Sequence, residues 1–214
     1  ERAMTLRPRF TWLACGSLLS AALALGACRS SPDLISFPLT YTPTSKADAS
    51  KTLGLTPLPA GTQVFIAQIV DKRQIQDANI LGVSEESDPK APVYNAPGGQ
   101  VPPEFVRNVL ARELAALGFA VTADPVAATH TLQLQLDQFW IAEGSTYRGV
   151  VAGQAWLIDR TGTTRWQGPF TGKSSRWGRS QEPSNYLESI SDATLESAVN
   201  LATNAELRAA FAAQ

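Results

Sequence analysis

A run of apolar residues near the N-terminus, closed by two small residues and a cysteine, decides which part of this chain is available to fold. The run covers residues 12–25 and follows two arginines. It is shorter than the roughly twenty apolar residues that a helix needs to cross a bilayer. The small side chains of Gly26 and Ala27 suit the site at which a signal peptidase cuts. The pattern predicts a signal peptide over residues 1–27, so that the mature chain begins at Cys28.

The last four residues of this segment, Leu-Gly-Ala-Cys at 25–28, resemble the lipobox of bacterial lipoproteins. The resemblance implies cleavage between Ala27 and Cys28, a diacylglycerol on the Cys28 thiol and an acyl chain on the new amino group. Two or three such chains hold a protein on a membrane without a transmembrane helix. Arg29 stands where many lipoproteins retained at the inner membrane carry Asp, which favours the outer membrane and a periplasm-facing domain. An ordinary cleaved signal peptide is the alternative.

The composition limits the partners and the covalent structure of the mature chain. Roughly 190 residues follow the predicted cleavage site, which is enough to bury a core. The chain has 18 basic and 19 acidic residues and a formal net charge of −1, so it lacks the basic balance that nucleic acid favours. Of its 2 cysteines, Cys15 lies in the leader, so we expect no internal disulfide.

A change of composition near residue 61 predicts the division of the mature chain. Residues 28–61 are rich in proline, serine and threonine and predict a lipidated N-terminus followed by a tether that spans roughly 30 Å as a flexible coil. Within it, residues 34–41 are apolar enough to lie along the domain as an edge strand instead. Residues 62–214 predict a single folded domain.

Hydrophobic periodicity predicts an α+β order in this domain. Residues 74–103 contain several prolines and glycines and predict a long loop with at most a short strand. The remaining segments predict five strands and two long helices: strands 64–70, 119–121, 131–140, 147–158 and 164–174, and helices 102–117 and 183–204, with 205–211 either continuing the last helix or folding back. We expect a two-layer sandwich, with a mostly antiparallel sheet of four to five strands and two helices on one face.

Several short pieces of this domain resemble known lipoproteins. Together they are similar to the YajG-type family: Asp-Lys-Arg at 71–73, Ile-Leu-Gly at 80–82, the helix end and strand at 114–121, Leu-Gln-Leu at 132–134, and Ala-Val-Asn at 198–200. A tryptophan-bearing strand at 153–158 resembles the PqiC-like auxiliary lipoproteins of lipid-transport systems. The YajG resemblance implies no established enzymatic activity and brings no catalytic residues.

Residues that commonly carry catalysis are scarce. His130 is the only histidine, which excludes a multi-histidine metal site, and a lipidated Cys28 is not free to act as ligand or nucleophile. Neither a Gly-x-Ser-x-Gly elbow nor a phosphate-binding Gly-x-x-x-x-Gly-Lys loop occurs. We therefore expect no catalytic residues, no metal and no cofactor apart from the covalent lipid.

Carboxylates at strand ends are the remaining candidates for chemistry. Asp71, Asp137 and Asp159 all follow or end predicted strands, where turn residues are common. A pair of them is the minimum that a glycoside hydrolase needs. We interpret them as structural, with Asp71 forming a salt bridge to Arg73, and we interpret the acidic residues 85–88 as a solvated loop.

Aromatic and arginine residues cluster in the second half of the domain. Interfaces favour both types, so the sequence predicts a partner-binding surface that includes Trp140, Trp166, Arg176, Trp177 and Arg179. Because the side chains of a strand alternate between its two faces, either Phe139 or Trp140 must point away from the helices. The alternative is that most of these rings fill the core.

Three functions remain open at this point. The first is a non-enzymatic outer-membrane lipoprotein that acts as a binding or assembly accessory for an envelope protein. The second is an auxiliary lipoprotein of a lipid or lipopolysaccharide transport system, which requires an apolar groove between helices and sheet. The third is a cell-wall hydrolase, which requires a cavity lined by two carboxylates.

Overall fold

The computed structural model describes residues 34–86 and 90–212, so the predicted cleavage site at Ala27 and lipidation site at Cys28 lie outside the described residues. The strands are β1 Ile35–Phe37, β2 Val64–Ile66, β3 Val70–Asp71, β4 Ile80–Ser84, β5 Ala91–Asn95, β6 Val121–Thr122, β7 His130–Glu143, β8 Tyr147–Asp159 and β9 Thr164–Arg176. The helices are α1 Pro102–Ala116, α2 Pro183–Thr203 and α3 Ala205–Ala210, with a 3₁₀ helix at Ala49–Thr52. No helix among these residues is long and apolar enough to cross a membrane.

The long strand β7 organises a mixed sheet. Along one side it pairs antiparallel with β8, which pairs antiparallel with β9. Along its other side it pairs in succession with β2, β3 and β4, all parallel to it. Strand β6 extends the sheet beyond β2, and β5 and then β1 extend it beyond β4. The α+β class is confirmed, but the expected sheet of four to five mostly antiparallel strands is wrong: the described residues form nine strands of mixed direction.

A β-bulge in β7 changes which residues face the core. The register shifts between Leu136 and Gln138, so Asp137 is an extra residue in the ladder. Before the bulge Leu134 and Leu136 are buried, and after it Phe139 is buried. The next residue, Trp140, therefore lies on the opposite face, where it is partly exposed.

The helices cover one face of the sheet, as predicted. Ring contacts fix both long helices on it: Phe105 of α1 lies 5.8 Å from Phe139, and Tyr186 of α2 lies 4.8 Å from Tyr147, between ring centroids. All four rings are at most 2% exposed. The space between helices and sheet is therefore filled by the packed core.

Residues 74–103, predicted to be mostly loop, contribute two strands to the sheet. Strand β4 lies between β7 and β5, and a Cβ at Gly82 would lie 1.8 Å from the carbonyl oxygen of Ile141. Glycine is thus needed here for close approach of the backbones. The same glycine, and Pro92 in β5, are turn signals when only neighbouring residues are considered, which is why the prediction failed.

The predicted tether is wrong for the part that the structure describes. Strand β1 pairs with β5, and Leu39 is fully buried. The backbone and hydroxyl of Thr44 both donate to the carboxylate of Asp192 on α2, at 2.8 and 2.6 Å. Farther along, the Arg208 Nε donates to the carbonyl of Thr56 at 2.9 Å. Residues 35–61 therefore belong to the folded domain, and the edge-strand alternative describes residues 35–37.

The outer edge of β9 is protected against pairing with another chain. Pro169 has no N–H to offer, Lys173 N donates to the Glu196 carboxylate, and Asn200 Nδ2 donates to the Thr171 carbonyl at 2.8 Å. Edge strands are commonly blocked in these ways. Addition of a strand at β9 is thus disfavoured.

Candidate functional site

The predicted partner-binding residues do not form one surface. Trp166 is only 8% exposed and points toward the helices, paired with Leu157 on β8, so its assignment to a surface is wrong. Its place on the core face follows from the register of β9, which no local pattern in the sequence determines. Trp140 lies on the face of the sheet opposite the helices, which we call the uncovered face. Arg176, Trp177 and Arg179 lie at the end of β9.

Among the tryptophans that the structure describes, the most exposed one lies directly after the end of β9. Trp177 is 78% exposed. Arg176 forms an ion pair with Glu188 of α2, whereas the side chain of Arg179 is exposed. The Arg179 carbonyl accepts a hydrogen bond from Asn185 Nδ2 at 3.1 Å. We call residues 177–181 the Trp177 loop.

A buried carboxylate holds this loop in place. Glu143, at the end of β7, is 1% exposed and accepts five hydrogen bonds. Ser180 Oγ and the Gln181 N–H of the loop donate at 2.7 and 2.8 Å. The hydroxyl groups of three further residues also donate to it: Ser84, Tyr147 and Tyr186. Gln181 has a φ of +59°, a left-handed conformation that is unusual for a residue other than glycine.

The ionisation of Glu143 follows from these contacts. Burial opposes its charged form, but the donors from Tyr186, Ser180 and Gln181 outweigh burial and hold the pKa of the Glu143 carboxyl below its ordinary value. Burial and the neighbouring carboxylate together raise the pKa of the Tyr186 hydroxyl. The carboxylate is thus a charged anchor whose roughly four acceptor positions are used. Such a group positions a loop and has no free lone pair with which to act as a general base.

The uncovered face of the sheet carries a second set of candidate residues. Trp140 lies opposite Val150, and farther along β8 Trp156 lies opposite Gln133 and Gln167. Trp156 is the sixth residue after Val150 along β8, so the two tryptophans lie about 20 Å apart along the sheet. Trp156 is not among the residues predicted for the partner-binding surface, although strict alternation with the inward Leu157 places it on the outer face.

A groove of about 660 Å³ opens beside Trp140. Its walls are formed by Gln138, Trp140 and Val150 of the sheet and by residues 72–75, which follow β3. Asp71 and Arg73 fix that segment, since Arg73 Nη2 lies 2.8 Å from Asp71 Oδ2 and also donates to the carbonyl of Ala78. The predicted salt bridge is confirmed.

The other predicted chemical groups have separate structural partners. Asp137 accepts from Gln135 Nε2 at 2.7 Å. Asp159 accepts from three groups in the β8–β9 turn and from Arg165, which together lower the pKa of its carboxyl. His130 lies 3.0 Å from the Thr129 hydroxyl, and burial lowers the pKa of its imidazole. Within the described ranges, no cluster of His, Cys, Asp and Glu is able to hold a metal ion.

Comparison with known proteins identifies a solved structure that has the same fold as this chain. No family model matches the sequence, and no curated protein is significantly similar to it. A solved structure of an uncharacterized protein is similar over 79% of this chain and 96% of its own, with 13% identity and a TM-score of 0.53. The chain thus has the α+β fold of that protein, with a mixed sheet and helices on one face.

Two further solved structures are more remotely similar to this chain. The match to a DUF330 protein from Xanthomonas campestris covers 69% of this chain and 88% of that protein's chain, at 16% identity and a TM-score of 0.48. The match to lipoprotein GNA1162 from Neisseria meningitidis covers 56% of this chain and 88% of that protein's chain, at 12% identity and a TM-score of 0.28. At these identities no family is assigned to this chain.

Proposed function

We propose that this chain is a lipid-anchored lipoprotein of the outer membrane that binds an envelope protein through the uncovered face of its sheet. The lipobox-like residues 25–28 support the anchor. The observation that carries the binding role is the uncovered face itself, which presents Trp140 and Trp156 without a helix over them. Tryptophan contributes strongly to interfaces when a partner excludes water from it.

The groove beside Trp140 suits an extended segment of a partner protein. Trp140, Val150 and Ile75 offer apolar surface for a partner side chain, while the amides of Gln74 and Gln138 can donate to and accept from its backbone. An apolar centre with a polar rim is the usual composition of a protein interface. The composition of the groove therefore supports the binding of such a segment.

The same structure gives less support to the alternatives. A lipid-transport role requires an apolar groove between helices and sheet, and the rings of Phe105 and Phe139 fill that space. A hydrolase requires two working carboxylates. A small cleft of about 220 Å³ beside Trp177 is lined by Glu86 and Glu143, but Glu143 already accepts five hydrogen bonds. We therefore propose a non-enzymatic role.

Site-specific photocrosslinking in living cells tests this function. A photoreactive residue at Gln138, at the groove, is expected to give a discrete protein adduct, and Trp140→Ala is expected to reduce it. A matched position is the exposed Asn108 on α1. An equal pattern at both positions, or an adduct that Trp140→Ala leaves unchanged, would contradict binding at the groove. Mass spectrometry of the N-terminal peptide tests the anchor separately, by the lipid on Cys28.

A further inference from the structure

The chain enters the fold at the same end of the sheet as the Trp177 loop. The strand pairings place Ile35 of β1 in one continuous row across six strands, together with Val93, Gly82, Ile141, Gly149 and Ser174. A second row of paired residues lies two residues closer to the Trp177 loop. It contains Ala91, Ser84, Glu143, Tyr147 and Arg176. Trp177 follows directly, so it lies just beyond the end of the sheet at which β1 begins.

The length of chain between the proposed anchor and β1 limits how far this end can lie from the membrane. Ile35 is the seventh residue after Cys28, so the two lie at most about 25 Å apart when the chain between them is fully extended. The other end of β7, at His130, lies about 43 Å farther along the strand. A lipid on Cys28 therefore keeps the end that carries the Trp177 loop close to the bilayer.

The surface at this end has the composition of a membrane contact. Trp177 is 78% exposed, and Leu34, next to the entry of the chain, is 67% exposed. Tryptophan prefers the membrane interface, where its ring is in an apolar layer and its N–H is hydrated. The charges at this end are of both signs: Lys90 and Arg148 pair with Glu85, and the exposed cation Arg179 is accompanied by the exposed acidic residues Glu86 and Glu182. Apolar contact, more than charge, thus favours a bilayer at this surface.

The Trp177 loop is held so that its indole stays exposed. Glu143 binds Ser180 and Gln181, and a Cβ at Gly178 would lie 2.2 Å from the Asn185 side chain. The loop therefore has little freedom to fold the ring back onto the domain. A loop whose backbone is already held loses little conformational entropy on binding.

We propose that the Trp177 loop is a second membrane contact, in which the Trp177 indole enters the headgroup layer of the bilayer to which Cys28 is anchored. This inference rests on the proposed lipid anchor. It also gives the domain an orientation: the end of the sheet with the Trp177 loop faces the bilayer, and the groove beside Trp140 stays open to a partner.

Fluorescence quenching by brominated lipid tests this contact. The lipidated full-length mature protein is reconstituted into phosphatidylcholine vesicles with and without brominated phosphatidylcholine. We expect brominated lipid to quench the emission of the wild type, and we expect Trp177→Phe to lose most of that quenching. Trp156→Phe is the matched control, because Trp156 lies nine residues along β8 from Tyr147 and thus about 30 Å from the end that faces the bilayer, and it is expected to keep the quenching.

Flotation of the vesicles separates the two proposals. If the wild type floats with the vesicles but is not quenched, or if Trp177→Phe is quenched as strongly as the wild type, the membrane contact is wrong and the anchor stands. If the protein does not float and its Cys28 carries no lipid, both proposals are wrong. Circular dichroism of Trp177→Phe checks that the exposed substitution leaves the fold intact.

Discussion

At the scale of single residues, the buried Glu143 connects separate elements of the fold. Its side chain joins the end of β7 to α2 through Tyr186 and to the Trp177 loop through Ser180 and Gln181. A buried charge is tolerated only when it is well hydrogen-bonded. Glu143 meets this condition through the five hydrogen bonds that it accepts, two of which hold the Trp177 loop.

We expect Glu143→Gln to lower the free energy of unfolding at pH 7 by about 2–3 kcal/mol, because hydrogen bonds to a charged acceptor are lost. Urea unfolding followed by circular dichroism measures this. Glu86→Gln, at an exposed position, is the control and should stay within about 0.5 kcal/mol of the wild type.

The pH dependence of stability gives a second measurement on the same variants. The pKa of Glu143 is lowered in the folded state, so its stabilisation is complete above the ordinary Glu pKa of about 4.3 and is lost as the pH falls through the lowered value. Between about pH 5 and pH 3, the stability of Glu143→Gln should therefore fall less steeply. Equal slopes would show that the pKa of Glu143 is the same in the folded and unfolded states.

At the scale of secondary-structure elements, the close approach of α2 to the sheet depends on small residues. Gly149 and Gly172 lie under the helix, and a Cβ at Gly172 would lie 1.9 Å from the Ala193 carbonyl oxygen and 2.5 Å from Ser197 N. The side chains of α2 that face this region are themselves small. The helix therefore rests almost directly on the backbone of β8 and β9.

Gly172→Ala is expected to destabilise the domain by about 3 kcal/mol, since α2 must move away from the sheet to make room for the methyl group. Gly144→Ala is a matched substitution, because its Cβ would meet nothing closer than 3.7 Å, and it should have an effect within about 0.5 kcal/mol. Comparison of the two urea midpoints checks the prediction. Similar midpoints would mean that the helix does not approach the sheet this closely.

At the scale of the whole molecule, the N-terminal segment and the domain form one folding unit. Ile35, Phe37 and Leu39 are at most 6% exposed and pack in the same core as the helices. Burial of each side chain contributes about 1.5–3 kcal/mol. A boundary at residue 61 would therefore remove part of the core.

A chain that begins at Thr62 is expected to be less stable than one that begins at Leu34 by about 5 kcal/mol or more, which approaches the whole stability of many domains. A chain that begins at Arg29 should match the one that begins at Leu34. Urea unfolding of the three chains measures this order. Equal midpoints for the chains that begin at Thr62 and Leu34 would restore the tether interpretation.

The elements that were predicted correctly have signals that are local in sequence. The spacing of Val106, Val109 and Leu110 predicts α1, and Gly118, with a φ of +91°, follows its end. Strands β7, β8 and β9 form a meander, so alternation and one turn signal were enough to find them. Strands β4 and β5 were missed because each also pairs with a strand that is distant in sequence, β7 and β1 respectively, and this pairing overrides the glycine and proline signals.

The sequence by itself determined the α+β order of elements and the outward tryptophan at the end of β9, and it is the sole basis for the predicted leader and lipidation site. These depend on residue type and on spacing within one segment. Only the tertiary structure decided that Trp166 is buried, that residues 72–75 border Trp140 and that Glu143 holds the Trp177 loop. The physical reason is strand register: a single bulge or a shift of one residue exchanges the two faces of a strand, and register is set by pairing between segments.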